Sequence, residues 1–175
     1  MLNDMDFGVE ELRRLRSRLS MTQRELAALI GVSQAAVAQY EAGSREPAGQ
    51  VRGFYERLGA ADTAPVVVEA LGRRTTTLPV GRWERVVDPG RVSVIELPVR
   101  LDWSPRESAG WVYGDEVHRR ELYRIVLDVG DALDVRVFVD PDELVAWHTD
   151  LLVARAVRPA LDRLVERLTQ VPAVA

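Results

Sequence analysis

The sequence predicts a mainly α protein in two parts. The first is an N-terminal bundle of short helices built around a helix-turn-helix; the second is a smaller, mostly helical C-terminal part with one candidate β-hairpin. Three observations predict this. Apolar residues recur every three or four positions in successive stretches between Phe7 and Leu58. Between Met21 and Pro47, two of those stretches are joined by a tight glycine-containing turn. Further on, Asp88-Pro89-Gly90-Arg91 sets Pro and Gly at the centre of a type II turn, between runs of β-branched residues.

Taken in order, Leu12, Leu15 and Leu19 stripe a first helix. Its other faces carry Arg13, Arg14, Arg16 and Arg18, either as a solvated surface or for contact with phosphate. Thr22 N-caps the next helix, and Glu25 completes a capping box. Leu26, Ala27 and Ile30 point inward along it, and Gly31 ends it in the left-handed conformation. Ser33 caps the following helix, in which Val37 and Tyr40 face inward while Gln34, Ala35, Ala36 and Gln39 are left outward. Gly43 stops that helix, and Val51, Phe54, Tyr55 and Leu58 close the bundle. Pro65–Leu71 reads as a short fifth helix ended by Gly72.

Thr22-Gln23, Glu25-Leu26-Ala27, Gly31-Val32-Ser33, Val37, Tyr40-Glu41, Gly43, Arg45 and Pro47 resemble the Xre/Cro-type helix-turn-helix domains of phage repressors and bacterial regulators. The resemblance spans about residues 7–59. It implies a lambda-repressor-like bundle whose second motif helix enters the major groove of double-stranded DNA, acting as a homodimer on two half-sites. Carried over by position, Gln34, Ala35, Ala36 and Gln39 would meet bases, with glutamine able to pair with adenine and alanine offering only methyl contact. Gln23, Arg24, Ser33, Ser44 and Arg45 would meet phosphates. Ala38 stands where the family often has serine, and the reading helix carries no arginine, which implies A/T-leaning or shape-based recognition.

Residues 73–81 (RRTTTLPVG) have no periodicity and read as a linker, giving domains at 1–72 and 82–175. In the second part, 82–87 and 92–97 are expected to pair as a hairpin, and Leu101–Gly114 to form an ordered loop. Its tryptophans, with Trp83 and Trp147, would either anchor a small core or line a pocket. Asp115 caps a helix running to Gly130, and a short helix follows from Asp131 to about Val139. Asp140-Pro141-Asp142-Glu143 starts another, with an apolar continuation over Leu144–Ala154. Pro159 begins the last helix, striped by Leu161, Leu164, Val165 and Leu168. Leu97–Pro105 and Leu122–Asp140 are similar to C-terminal segments of helix-turn-helix regulators encoded beside toxin-type nucleotidyltransferases in toxin–antitoxin operons.

Composition narrows the function. Every basic residue of the 175 is arginine, and the formal charge is −4, with no basic tail of the kind a non-specific nucleic-acid binder uses. The absence of cysteine excludes disulfides, thiol catalysis and thiolate metal sites. His118 and His148 are far apart in sequence, and the aspartates between 128 and 142 sit mostly at helix boundaries, where caps belong. With neither a glycine-rich phosphate loop nor a nucleophile elbow, no catalytic residue, metal site or cofactor is expected. The acidic start MLNDMDFGVEE and the lack of long apolar runs lead to the expectation of a cytoplasmic protein without a membrane segment. The reading is a dimeric, sequence-specific transcriptional regulator, most simply a repressor, whose second part dimerises and could sense a small-molecule effector. The alternative is an antitoxin or adaptor whose second part binds and neutralises a partner protein while the first regulates its own operon.

Overall fold

In a computed structural model of the chain, residues 8–87, 92, 94–102 and 110–170 are described. The first four helices are α1 (Val9–Arg18), α2 (Gln23–Ile30), α3 (Gln34–Glu41) and α4 (Gly49–Thr63). They form where the apolar spacing places them, with Leu12, Leu15, Leu26, Val37, Tyr40, Phe54, Tyr55 and Leu58 buried together. One detail differs on α2, where Leu29 is enclosed and Ile30 only partly covered.

The stretch expected to be a fifth helix and a linker is instead a hairpin. Strand β1 (Val66–Leu71) pairs antiparallel with β2 (Arg74–Pro79), in register from Val66↔Pro79 to Leu71↔Arg74. Three consecutive valines in β1 and three consecutive threonines in β2 favour extended backbone over helix, which outweighs the helix-start signal of Pro65. Gly72, at φ +65°, opens the two-residue turn. The inner side of β1 alternates as a half-buried strand should, with Val67, Glu69 and Leu71 inward. Residues 74–79, most of the stretch expected to be a linker, are therefore paired rather than a free connection.

The hairpin expected between 82–87 and 92–97 does not form. Arg82–Val87 holds no strand, and its Arg82, Trp83 and Arg85 side chains are taken by residues 139–142. Trp83 Nε1 donates to the Val139 carbonyl at 2.9 Å, and Val86 and Val87 are buried. The Asp88–Arg91 turn and Trp103 lie outside the described residues. Strand β3 (Val94–Ile95) pairs instead with β4 (Trp111–Val112). Gly110 permits this, since a Cβ there would lie 2.8 Å from the Ile95 carbonyl oxygen.

Four helices follow: α5 (Glu116–Val129), α6 (Ala132–Phe138), α7 (Pro141–Trp147) and α8 (Arg158–Gln170). Asp115, Asp131 and Asp140 cap α5, α6 and α7 as their positions predict. The expected continuation to Ala154 stops at Trp147. Arg158 donates to the carbonyls of His148, at 2.6 Å, and Leu151, while Asp128 holds the Ala154 amide at 2.8 Å, so 148–157 is pinned as a loop. The hairpin β1–β2 rests on this layer. Thr76 bonds the Gly130 carbonyl at 3.0 Å, the Ala132 amide bonds Thr77 at 3.2 Å, and Glu69 meets Arg163 of α8 at 2.6 Å. Buried residues from both parts belong to one apolar cluster.

Candidate nucleic-acid interface

The motif is built from its caps outward. Thr22 Oγ1 accepts from the Glu25 amide, and the Glu25 carboxylate accepts from the Thr22 amide at 2.7 Å, so both orphan donors at the start of α2 are satisfied. Gly31 turns the chain at φ +78°, and the Val32 amide returns to the Ala27 carbonyl at 2.9 Å. Ser33 Oγ then accepts from the Ala36 amide at 3.2 Å and starts α3. At the far end Gly43 lies at φ +71°, with Val9 so close that a Cβ would meet it at 2.9 Å.

The structure leaves Gln34, Ala35 and Gln39 of α3 exposed, together with Ser33 before it. Ala36, expected outward, is buried at 7% exposure. It shares the inward face with Val37 and Tyr40, one and four positions on, so its methyl packs in the bundle and is not available to a base edge. In the turn after α3, the Ser44 amide and hydroxyl both return to the Gln39 carbonyl, at 3.1 and 3.3 Å. Arg45 lies over the Tyr40 ring, 5.5 Å from its centroid.

Behind this face sits a polar hub that the sequence reading missed. Glu41, 2% exposed, accepts from Arg16 of α1 at 2.6 and 3.1 Å and from the Gln23 amide at 2.9 Å. Arg16 also donates to the Met21 carbonyl at 2.9 Å. Burial opposes ionisation of Glu41, but the bonds from Arg16 and Gln23 outweigh it and hold the carboxyl below its ordinary range. Gln23 thus has one amide hydrogen committed to Glu41 and a second left over. The clue was present in Arg16, which stands next to the buried Leu15, and in a glutamate that caps nothing.

The arginines around the motif are mostly neutralised. Arg13 pairs with Glu10 at 3.2 Å, Arg14 with Glu11 and Asp62 at 2.7 and 2.6 Å, and Arg18 with Asp62 at 2.9 Å. Arg24, expected at phosphate, reaches Glu96 beside β3 at 3.2 Å, with both side chains well exposed. Such an exposed pair is weak and can exchange for a phosphate. Arg45 makes no ion pair among the described residues. Among those residues there is also no cluster of metal-binding side chains, and no helix is long and apolar enough to cross a membrane.

Comparison with known proteins agrees with this geometry over the motif alone. Residues 12–51 match the family described as helix-turn-helix, which is a DNA-binding regulatory family rather than an enzyme family. No curated protein and no solved structure matches the chain. Residues 12–51, which run from within α1 to the start of α4 and hold the capped α2–turn–α3 unit, are an Xre/Cro-like helix-turn-helix domain, and such a domain supports a DNA-binding regulator in general.

Proposed function

We propose that the protein is a cytoplasmic, sequence-specific regulator, a repressor that works as a dimer on two half-sites, with α3 in the major groove. The observation that carries this is the exposed row of Gln34, Ala35 and Gln39 on a helix whose opposite face is locked into the bundle. Glutamine amides can pair with adenine, and the Ala35 methyl suits the methyl group of thymine. Ser33, Arg45, Arg24 and the free hydrogen of Gln23 serve the phosphates, and Ser44 joins them by turning its hydroxyl away from the Gln39 carbonyl.

The electrostatics support dimerisation. Because acids neutralise most arginines near the motif, one copy offers few phosphate contacts, and non-specific affinity grows with that number. Two linked copies multiply a weak half-site affinity into a useful one. Selection of bound duplexes from a random pool by the full chain tests the reading. Two inverted half-sites about one helical turn apart, with two chains per duplex, are expected. Enrichment of a single unrepeated site bound by one chain would remove the dimer, and no enrichment at all would remove sequence-specific reading.

A further inference from the structure

A cleft of about 410 Å³ lies between the C-terminal end of α4 and the Val80–Glu84 stretch, a size in the range of small-molecule sites. The methyl groups of Ala60, Ala61 and Ala64 form its apolar wall, and Trp83 lines it as well. Trp83 is fixed by its bond to the Val139 carbonyl, so the indole is already positioned.

The charge lining this cleft is unusual for a chain that is acidic overall. Three guanidinium groups, those of Arg57, Arg82 and Arg136, line it against the single carboxylate of Glu84. Arg136 is 3% exposed, and its recorded partners are carbonyl oxygens only: Ala61, at 3.1 Å, and Pro65. Burial pulls it below the ordinary guanidinium range against the opposing field of Asp131, and a buried cation whose hydrogen bonds go only to carbonyls is costly. Capping the end of α4 explains two of its donors but brings no counter-charge. Arg57 holds only the Val86 carbonyl, at 3.3 Å, and neither it nor Arg136 meets a carboxylate among the described residues. Arg82 is paired with the exposed Asp142.

We propose that this cleft binds a small organic acid, with a flat apolar body against Trp83 and the alanine wall and a carboxylate received by Arg57. Arg136 supplies the fixed positive field beneath it, and a planar guanidinium suits a carboxylate bidentately. Arg57 also lines a second hollow of about 190 Å³ with Leu29 and Ile30 at the end of α2, so the acid is received by a residue that reaches the back of the helix-turn-helix. This site is separate from the DNA-reading face, and its test does not depend on DNA.

Calorimetric titration of the full chain with naphthoate and with uncharged naphthamide decides the matter. Naphthoate is expected to bind one per chain, about tenfold or more tighter than the amide, because only the acid answers the arginines. Arg57→Gln should reduce the acid to the amide's affinity. Ala60→Leu, at an exposed position on the cleft wall, should weaken both ligands while leaving the thermal melt unchanged. Absence of binding at millimolar concentration, equal binding of acid and amide, or full binding by Ala60→Leu would each overturn the assignment. So would an acid preference that survives in Arg57→Gln.

Discussion

Arg16 on α1 and Glu41 at the last turn of α3 meet at 2.6 Å, with the Glu41 side chain almost wholly enclosed. Because Gln23 donates to the same carboxylate, one buried anion ties α1, α2 and α3 together. Glu41→Gln should destabilise the chain by about 2–3 kcal/mol in urea unfolding, somewhat below the value for a fully buried pair because Arg16 is partly exposed. Replacing both partners, as Arg16→Met with Glu41→Leu, should recover most of that loss.

The same carboxylate gives a pH dependence with a definite sign. Glu41 and Asp62 both lie below their ordinary values of 4.5 and 3.8 in the folded chain. At each, burial raises the pKa and the hydrogen bonds more than reverse it, from Arg16 and Gln23 at Glu41 and from Arg14 and Arg18 at Asp62. The unfolded chain therefore takes up protons first, and stability is fully present above pH 4.5 and falls as the pH drops through the lower folded values. Urea midpoints measured between neutral pH and this acid range should show that fall. Glu41→Gln should have a shallower slope, and an unchanged slope would remove Glu41 from the account.

Two glycines should respond differently to the same substitution. At Gly31 a Cβ meets nothing within 4 Å, so Gly31→Ala suffers only from the left-handed backbone, about 1 kcal/mol. At Gly130 a Cβ would lie 2.5 Å from the Val126 carbonyl oxygen and 2.9 Å from Asp134, both parts of the α5–α6 corner. Gly130→Ala should cost about 2–4 kcal/mol, since backbone must move to admit it. Thermal melts of the two variants compare them directly.

What could be read from the sequence depended on how local its signals were. The caps at Thr22, Ser33, Asp115, Asp131 and Asp140 all form, because each needs only a side chain and an amide two or three residues away. The β1–β2 hairpin was hidden because Pro65 and Gly72 punctuate a helix and a strand alike, and only pairing with Arg74–Pro79 separates the two. The pairing of Val94–Ile95 with Trp111–Val112 was hidden for a related reason: its partner is distant, and the nearer Pro-Gly turn offered a rival. At the site, Gln34 and Gln39 stand out as expected. Ala36 does not, since an alanine is equally at home on either side of a helix. The Glu41 hub required knowing that α1 passes behind α3.

Arg45, lying over the Tyr40 ring beside the exposed face of α3, should act through phosphate alone. Arg45→Ala is expected to weaken binding to all duplexes about equally and to reduce the slope of log affinity against log salt by about one unit. Titrations at several salt concentrations, on selected and scrambled duplexes, measure both quantities. A loss confined to the selected duplex would mean that Arg45 reads a base.

The claim on which the rest depends is that α3 reads sequence through Gln34. The measurement is the affinity of Gln34→Ala for the duplex selected by the parent chain and for a scrambled duplex of the same composition. A loss of about 1–3 kcal/mol is expected on the selected duplex, with little change on the scrambled one. Equal losses on both, or none on either, would contradict it.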